Sequence, residues 1–232
     1  MSEYRHEYKY QCTLQKLLGI RNQIEAVMYQ DANVGDDGTY TIRSLYFDDY
    51  NNRCFYENVN GTDPREKFRI RIYNGDASFI KLELKRKERG KTKKLSCHLS
   101  EELCRMAMNG ELLPIEAVDS VVYRKFCMQQ STRLLQPKVI VEYDRVPFVY
   151  PDGNVRVTLD LQIRSSDRIE SFLDKEIASR AIMPTNRHLL EVKFDEYIPD
   201  FIYQAVQAQN LQQTTFSKYY LCRKYGMGGI VL

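Results

Sequence analysis

The sequence lacks the features of a membrane-spanning or disulfide-stabilised protein. It has no apolar run near the ~18 residues of a membrane-spanning helix, and its opening MSEYRHEYKY is charged where a signal peptide would be apolar. None of its six cysteines has CxxC spacing or a histidine at zinc-finger spacing. We therefore expect a cytoplasmic protein with reduced thiols, no structural zinc and no membrane span in this chain. A separate membrane partner is compatible with this expectation.

Internal repeats, low-complexity tracts and Pro/Gly/Ser linkers are also missing from the 232 residues. A chain of this length buries about 70% of its unfolded surface, which is enough for a core without metals or disulfides. We expect one domain covering residues 1–232.

The net charge of +3 does not by itself indicate a binding partner, but the charged residues are unevenly distributed along the sequence. Residues 65–94 hold twelve lysines and arginines against four acidic residues, so this segment is +8 while the rest of the chain is −5. A locally basic stretch in a near-neutral protein favours a polyanion site. A solvated basic hairpin is the alternative that charge alone leaves open.

Hydrophobic periodicity predicts a mixed protein dominated by antiparallel strands. The predicted strands are 4–11, 39–49, 66–74, 78–87, 93–100, 138–146, 154–164 and 188–194. The predicted helices are 14–30, one after Ser100, 115–130, 200–212 and 217–225. Short turns are expected at Gly75-Asp76-Ala77 and Pro151-Asp152-Gly153. The fold class is therefore α+β.

Six of these strands alternate between an apolar face and a charged face. Between 66 and 74, Arg69 and Arg71 oppose Phe68, Ile70 and Ile72. Between 154 and 164, the polar face comprises Arg156, Thr158, Asp160, Gln162 and Arg164. An ordinary sheet with one wet face would give this pattern. However, the amphipathic helices must cover apolar sheet surface, which would turn the charged faces inward. We therefore predict an antiparallel β-barrel with a basic lumen and helices packed outside.

Such a lumen suits a chain of phosphates and a divalent cation. Arginine holds phosphate oxygens in pairs, and lysine acts as a point charge. Carboxylates supply the hard oxygen ligands that Mg²⁺ or Mn²⁺ prefers. We find no nucleophile with an adjacent base, and His6 is predicted on an apolar face. Nucleic-acid binding is not expected, because nucleic acids bind to basic patches on the accessible surface and the predicted basic residues line an interior. The sequence also contains no RNA-binding motif.

Nine segments occur in the order of a known family: RHEYKY (5–10), SLYFDD (44–49), REKFRIRIYN (65–74), KLELKRK (81–87), the lysines at 93–94, VEYDRVPF (141–148), NVRVTLD (154–160), LLEVKF (189–194) and FSKY (216–219). Over nearly its whole length the chain thus resembles the VTC (vacuolar transporter chaperone) catalytic domain of polyphosphate polymerases. That family shares the triphosphate tunnel metalloenzyme fold with the CYTH enzymes.

The resemblance implies a polyphosphate polymerase that transfers the γ-phosphoryl group of ATP to inorganic polyphosphate, with Mn²⁺ or Mg²⁺ as cofactor. From their positions in the matching motifs, the catalytic residues that bind phosphate would be Lys9, Arg69, Arg71, Lys85, Lys94, Arg145, Arg156 and Lys218. Tyr143, Ser217, Lys193 and Glu7 would bind substrate. Glu191 matches the metal-binding glutamate, and Glu83 and Asp160 are further lumen candidates, Glu83 as a second metal ligand.

The chain departs from the family pattern in several places. Family polymerases often carry a basic residue two places before the serine of FSK, where this chain has Thr215. The register of Lys91, Lys93 and Lys94 is open by one residue. The phosphate-sensing SPX domain and the membrane segments of the eukaryotic complex are not found in this sequence. Two other functions remain open: a tripolyphosphatase or nucleoside triphosphatase of the same fold, and a non-catalytic polyphosphate-binding module.

Overall fold

A computed structural model describes residues 4–35 and 37–226, which form one antiparallel sheet and its flanking helices. The strands are β1 (His6–Thr13), β2 (Tyr29–Gln30), β3 (Tyr40–Asp48), β4 (Arg65–Tyr73), β5 (Asp76–Glu88), β6 (Lys91–Leu99), β7 (Gln136–Tyr150), β8 (Val155–Ser166), β9 (Arg180–Ala181) and β10 (Arg187–Phe194). The helices are α1 (Leu14–Glu25), α2 (Arg53–Val59), α3 (Glu101–Met108), α4 (Val121–Arg133), α5 (Asp200–Gln207) and α6 (Lys218–Gly226). The predicted α+β class is confirmed.

The sheet curls until its two edges meet. Its main strands lie in the order β1-β10-β8-β7-β3-β4-β5-β6. The backbones of Arg5, beside β1, and Thr92, in β6, exchange hydrogen bonds of 2.9 and 2.8 Å. The strands therefore surround an interior, as the barrel prediction requires.

The outer, apolar faces of the strands pack under helices. Phe126 of α4 contacts Phe47 of β3 and Phe68 of β4 with ring centroids 5.0 and 5.3 Å apart. On the other side, Ile20 of α1 and Ile202 of α5 are fully buried in a second cluster that includes strands β1, β8 and β10. The prediction of helices outside the sheet is confirmed. His6 also lies on this outer side, where its ring stacks on Phe194.

Helix α6 differs from these helices because it contributes to the interior. Its Tyr219 is buried in a cluster with Ile42 and Val141, which lie on the inner faces of β3 and β7. Asp48, at the end of β3, accepts hydrogen bonds from the Tyr219 hydroxyl and, at 3.1 Å, from the Phe55 amide. One buried carboxylate thus ties α6 to the start of α2, a helix that the sequence patterns did not predict.

Element bounds differ modestly from the predicted ones. The β4–β5 turn lies at Asn74-Gly75, one residue earlier than expected, and both residues have positive φ, as in the tightest hairpins. Helix α1 ends at Glu25, α4 begins at Val121 and α5 ends at Gln207. Within the described residues, no helix has both the length and the hydropathy needed to span a bilayer.

The predicted polar face of β8 is wrong beyond Asp160. The β7–β8 register shifts after Glu142, and Gln162 has a φ of +48°. Such a bulge moves the following residues to the opposite face. Ile163 consequently joins the interior cluster, whereas Arg164 pairs outside with Asp144 at 3.2 Å.

Candidate active site

Cations predicted for the lumen surround four carboxylates on the inner face of the sheet. These carboxylates belong to Glu7, Glu83, Asp160 and Glu191, and their side chains are at most 9% exposed. A buried carboxylate is tolerated only when it is paired and hydrogen-bonded. Each one therefore defines a group of cations.

The Glu83 group lies on β4, β5 and β6. Arg69 donates from Nε to Glu83 Oε2 at 2.8 Å, and Lys94 Nζ lies 3.1 Å from Oε1. Arg71 Nη1 lies 3.8 Å from Oε2. Burial alone would raise the pKa of Glu83, but Arg69, Arg71 and Lys94 hold it well below its usual range. Glu83 is thus a fixed anion that orients three predicted phosphate-binding residues.

The Asp160 group joins β7 and β8 to helix α6. Arg145 forms a bidentate pair with Asp160, from Nε at 2.6 Å and Nη2 at 2.7 Å. Lys218, the first residue of α6, lies 2.6 Å from Asp160 and 2.7 Å from Glu191. Despite burial, which acts the other way, these two carboxylates raise the pKa of Lys218. Lys218 is therefore charged at any physiological pH.

Glu7 and Glu191 share the lysines of β1 and β10. Lys193 Nζ lies 3.5 Å from Glu7 and 3.2 Å from Glu191, and Lys9 Nζ lies 3.6 and 3.8 Å from the same two carboxylates. Both Glu7 oxygens accept from Lys85 Nζ at 2.9 Å. Burial and the neighbouring lysines, opposed by Glu7, lower the pKa of Lys85 to about 7. Its positive charge is thus only partly retained at neutral pH in the free protein.

Tyr143 connects these groups around the interior. Arg71 Nη2 donates to the Tyr143 hydroxyl at 3.4 Å. Lys218 Nζ and Arg145 Cζ lie 4.6 and 5.2 Å from the centre of the Tyr143 ring, within the range of cation–π attraction. The predicted residues therefore form one contact network from Lys94 on β6 to Lys85 on β5.

Two predicted residues lie beside this network. Arg156 points to the β2 side, where its Nη2 lies 2.7 Å from Asp31 and 3.0 Å from the Tyr40 hydroxyl. The Ser217 hydroxyl caps α6 by accepting the Tyr220 amide proton at 3.2 Å.

Several inner-face residues were missed by the sequence reasoning. Lys67 lies on the same face of β4 as Arg69, and strict alternation would have identified it. Ser44 and Tyr46 on β3 accept hydrogen bonds from Arg71 and Arg69 at 3.0 and 2.9 Å. SLYFDD gave no polar alternation that would have marked them.

The donor set fits a divalent cation that arrives with phosphates. Among residues 4–35 and 37–226, no three His, Cys, Asp or Glu side chains are grouped so as to hold a metal. Glu191 and Glu7 lie near the same two lysines, Lys9 and Lys193, so their carboxylates are on the same side of the interior. Mg²⁺ commonly takes one or two carboxylates and fills the rest of its shell with substrate phosphates and water.

Comparison of the chain with known protein families agrees with this geometry. A model of the VTC domain family matches residues 4–225, so the chain belongs to the VTC domain family. No curated protein matches the chain.

Solved structures with the same fold come from a plant and a bacterium. A Hippeastrum protein studied as an adenylyl cyclase candidate, and described as having a dominant triphosphatase activity, is 12% identical with a TM-score of 0.58. The alignment covers 99% of this chain and 98% of that one. A Bacillus halodurans adenylate cyclase candidate is 13% identical with a TM-score of 0.51, over 92% and 95% of the two chains. At these identities the likeness establishes the fold, that of the triphosphate tunnel proteins.

The lowered pKa of Lys85 predicts a pH-dependent interior. The lysine is charged below about pH 7 and neutral above it, so its attraction for an anion weakens as pH rises. Lys85→Arg keeps the charge, because a guanidinium does not lose its proton in this range. Between about pH 6 and 9, the affinity of wild-type protein for inorganic tripolyphosphate should fall relative to that of Lys85→Arg, measured by calorimetry.

The matched control is Lys16→Arg on the exposed side of α1, which should follow the wild-type profile. Parallel profiles for wild type and Lys85→Arg would contradict this assignment.

Proposed function

We propose that this protein is a polyphosphate polymerase that transfers the γ-phosphoryl group of ATP to the end of a polyphosphate chain. One observation carries the proposal. The contact network holds eight cations, Lys9, Arg69, Arg71, Lys85, Lys94, Arg145, Lys193 and Lys218, against four carboxylates. This excess suits a ligand with several negative charges in a row. Membership of the VTC domain family supports the same substrate class.

The reaction needs positioning and charge neutralisation more than covalent help from the protein. A terminal oxygen of the polyphosphate chain forms a bond to the γ-phosphorus of ATP. The bond from that phosphorus to the bridging oxygen breaks, and ADP leaves with the electron pair. Arg69 and Arg71, held by Glu83, Tyr46 and Ser44, would bind the transferring group. Lys218, Arg145 and Lys9 would bind the phosphates on the Glu191 side.

The metal would lie on the side of Glu191. Glu191 and Glu7 would hold Mn²⁺ or Mg²⁺ together with oxygens of the triphosphate. When bound, the metal supplies charge neutralisation at phosphate oxygens. Glu83 would orient Arg69 and Lys94 on the opposite side of the interior, as a second carboxylate near the triphosphate. Tyr143 and Lys193 would complete the substrate contacts, and Ser217 would offer its hydroxyl beside them.

A triphosphatase is the second candidate. The Hippeastrum protein of the same fold is described as having dominant triphosphatase activity. The same cations would hold the triphosphate, with water in place of the polymer as acceptor. The two functions therefore share the same phosphate-binding residues and differ in the acceptor of the phosphoryl group.

The product made from ATP tests the proposal. Purified protein with ATP and Mn²⁺ should yield ADP and a polymer, visible on a gel and by the mid-chain phosphate signal in phosphorus NMR. Orthophosphate without polymer would favour the triphosphatase. Polyphosphate binding without turnover would favour a non-catalytic module.

Glu191→Gln tests the proposed metal ligand. It removes an anionic oxygen with little change of volume, and we expect metal-dependent turnover to fall by at least about 100-fold, the usual effect of removing one charge-stabilising group. Mn²⁺ affinity in the presence of a non-hydrolysable ATP analogue, measured by electron paramagnetic resonance, should fall as well. Glu196→Gln, five residues away and 80% exposed in its side chain, is the control. Undiminished Mn²⁺ affinity in Glu191→Gln would remove Glu191 from this role.

A further inference from the structure

One end of the interior carries a set of cations that face each other across neighbouring strands. Lys67 on β4 lies opposite Lys85 on β5, and Arg65 lies opposite Lys87. Alternation places all four on the inner face, on the same side as Arg69 and Glu83. We call these four residues the basic ladder.

Like charges directly opposite on adjacent strands repel each other. Deeper in the interior, the β4–β5 pair at the next level is Arg69 with Glu83, which attract. The ladder therefore begins where charge compensation between these two strands stops.

Lys67 lies among neutral groups, and its ammonium group is 5.1 Å from the centre of the Tyr219 ring. Within the described residues, its ammonium group has no carboxylate within 4 Å. Its hydrogen-bond partners are neutral: Asn58 Oδ1 and Ser217 Oγ, both at 3.3 Å. Burial, together with Arg65 and Lys9, lowers its pKa to about 8, against a weaker opposing effect of Cys54 and Asp48. The pKa of Lys87 is lowered by burial and by the same two cations. The protein thus keeps several positive charges close together at an energetic cost.

The ladder is continuous with the candidate active site. Lys85 belongs to both, through its pair with Glu7. Lys67 contacts Ser217, and Lys9 donates to the Phe216 carbonyl at 2.8 Å. Lys67 therefore lies beside the FSK segment, where Thr215 leaves the chain without the basic residue expected there.

We propose that the basic ladder is a binding track for the polyphosphate chain outside the reacting phosphates, with Lys67 as its inner contact and Arg65 and Lys87 as its outer ones. A linear polyanion along β4 and β5 would relieve the repulsion in both cross-strand pairs. Arg65 and Lys87 lie two residues farther along their strands than Lys67 and Lys85, so phosphates held by the deeper network would not reach them. The track therefore acts on long chains more than on short ones. This inference rests on the proposed function for the identity of the ligand.

Binding as a function of chain length tests the track. We compare wild type, Lys67→Met, Lys87→Met and the Arg65→Met/Lys87→Met double variant, each checked by thermal melting. The probes are inorganic tripolyphosphate and a chain of about 60 phosphates. Affinity for the long chain should fall about tenfold in Lys67→Met and in the double variant. The loss for tripolyphosphate should be several-fold smaller. The slope of log affinity against log salt should decrease by about one for each cation removed, as expected for a polyelectrolyte.

Matched variants separate the track from a general charge effect. Lys16→Met removes one charge from the exposed side of α1 and should leave the long-chain affinity at the wild-type value. Lys67→Arg should restore binding.

Equal losses for long and short chains, or no loss for the long chain in both Lys67→Met and Lys87→Met, would overturn the proposal. These binding measurements need no turnover. If wild type makes no polymer while the length-dependent loss is present, the polymerase proposal fails and the track stands. If wild type polymerises and the losses are absent, only the track fails.

Discussion

The structure depends on how four buried carboxylates are compensated inside a curled sheet. Glu7, Glu83, Asp160 and Glu191 have little access to water, so each must be surrounded by cations. The sheet provides them because alternate residues of its strands face inward, and the apolar residues between them pack under α1, α3, α4 and α5. One alternating pattern thus builds both the outer core and the charged interior.

The four carboxylates also fix the orientation of the arginines and lysines around them. Buried arginines and lysines without partners would repel each other and avoid the interior. Glu83 fixes Arg69, and Asp160 fixes Arg145 through two hydrogen bonds. A site arranged before its ligand arrives loses little free energy to ordering when it binds. The positive charge that the four carboxylates do not neutralise is available to an anionic ligand.

Much of this arrangement was predictable from the sequence, because period-two alternation is a local property of strands. The inward placement of Arg69, Arg71, Lys85, Arg145 and Glu191 follows from it directly. Beyond Asp160 the prediction failed, since the Gln162 bulge depends on backbone geometry that alternation does not encode. Helix α2 is short and is capped by Asp48 from a preceding strand, so its sequence carries little signal of its own.

The role of α6 could not be predicted from periodicity either. Its residues form an ordinary amphipathic pattern, and only tertiary packing shows that Lys218 enters the interior between Asp160 and Glu191. Lys67 was missed for a different reason: alternation places it on the same face as Arg69, but the candidate residues were chosen by their match to the family motifs, and Lys67 was not among them.

The interior cations that the four carboxylates orient should therefore bind a chain of phosphates. A crystal structure with inorganic tripolyphosphate and Mn²⁺ would reveal which side chains contact the phosphates. We expect a linear density inside the sheet, in contact with Arg69, Arg71, Lys218 and Arg145, with Lys85 displaced from Glu7 toward a phosphate. A tripolyphosphate bound only on the outer surface, with Lys85 still paired to Glu7, would show that the interior is not the phosphate site.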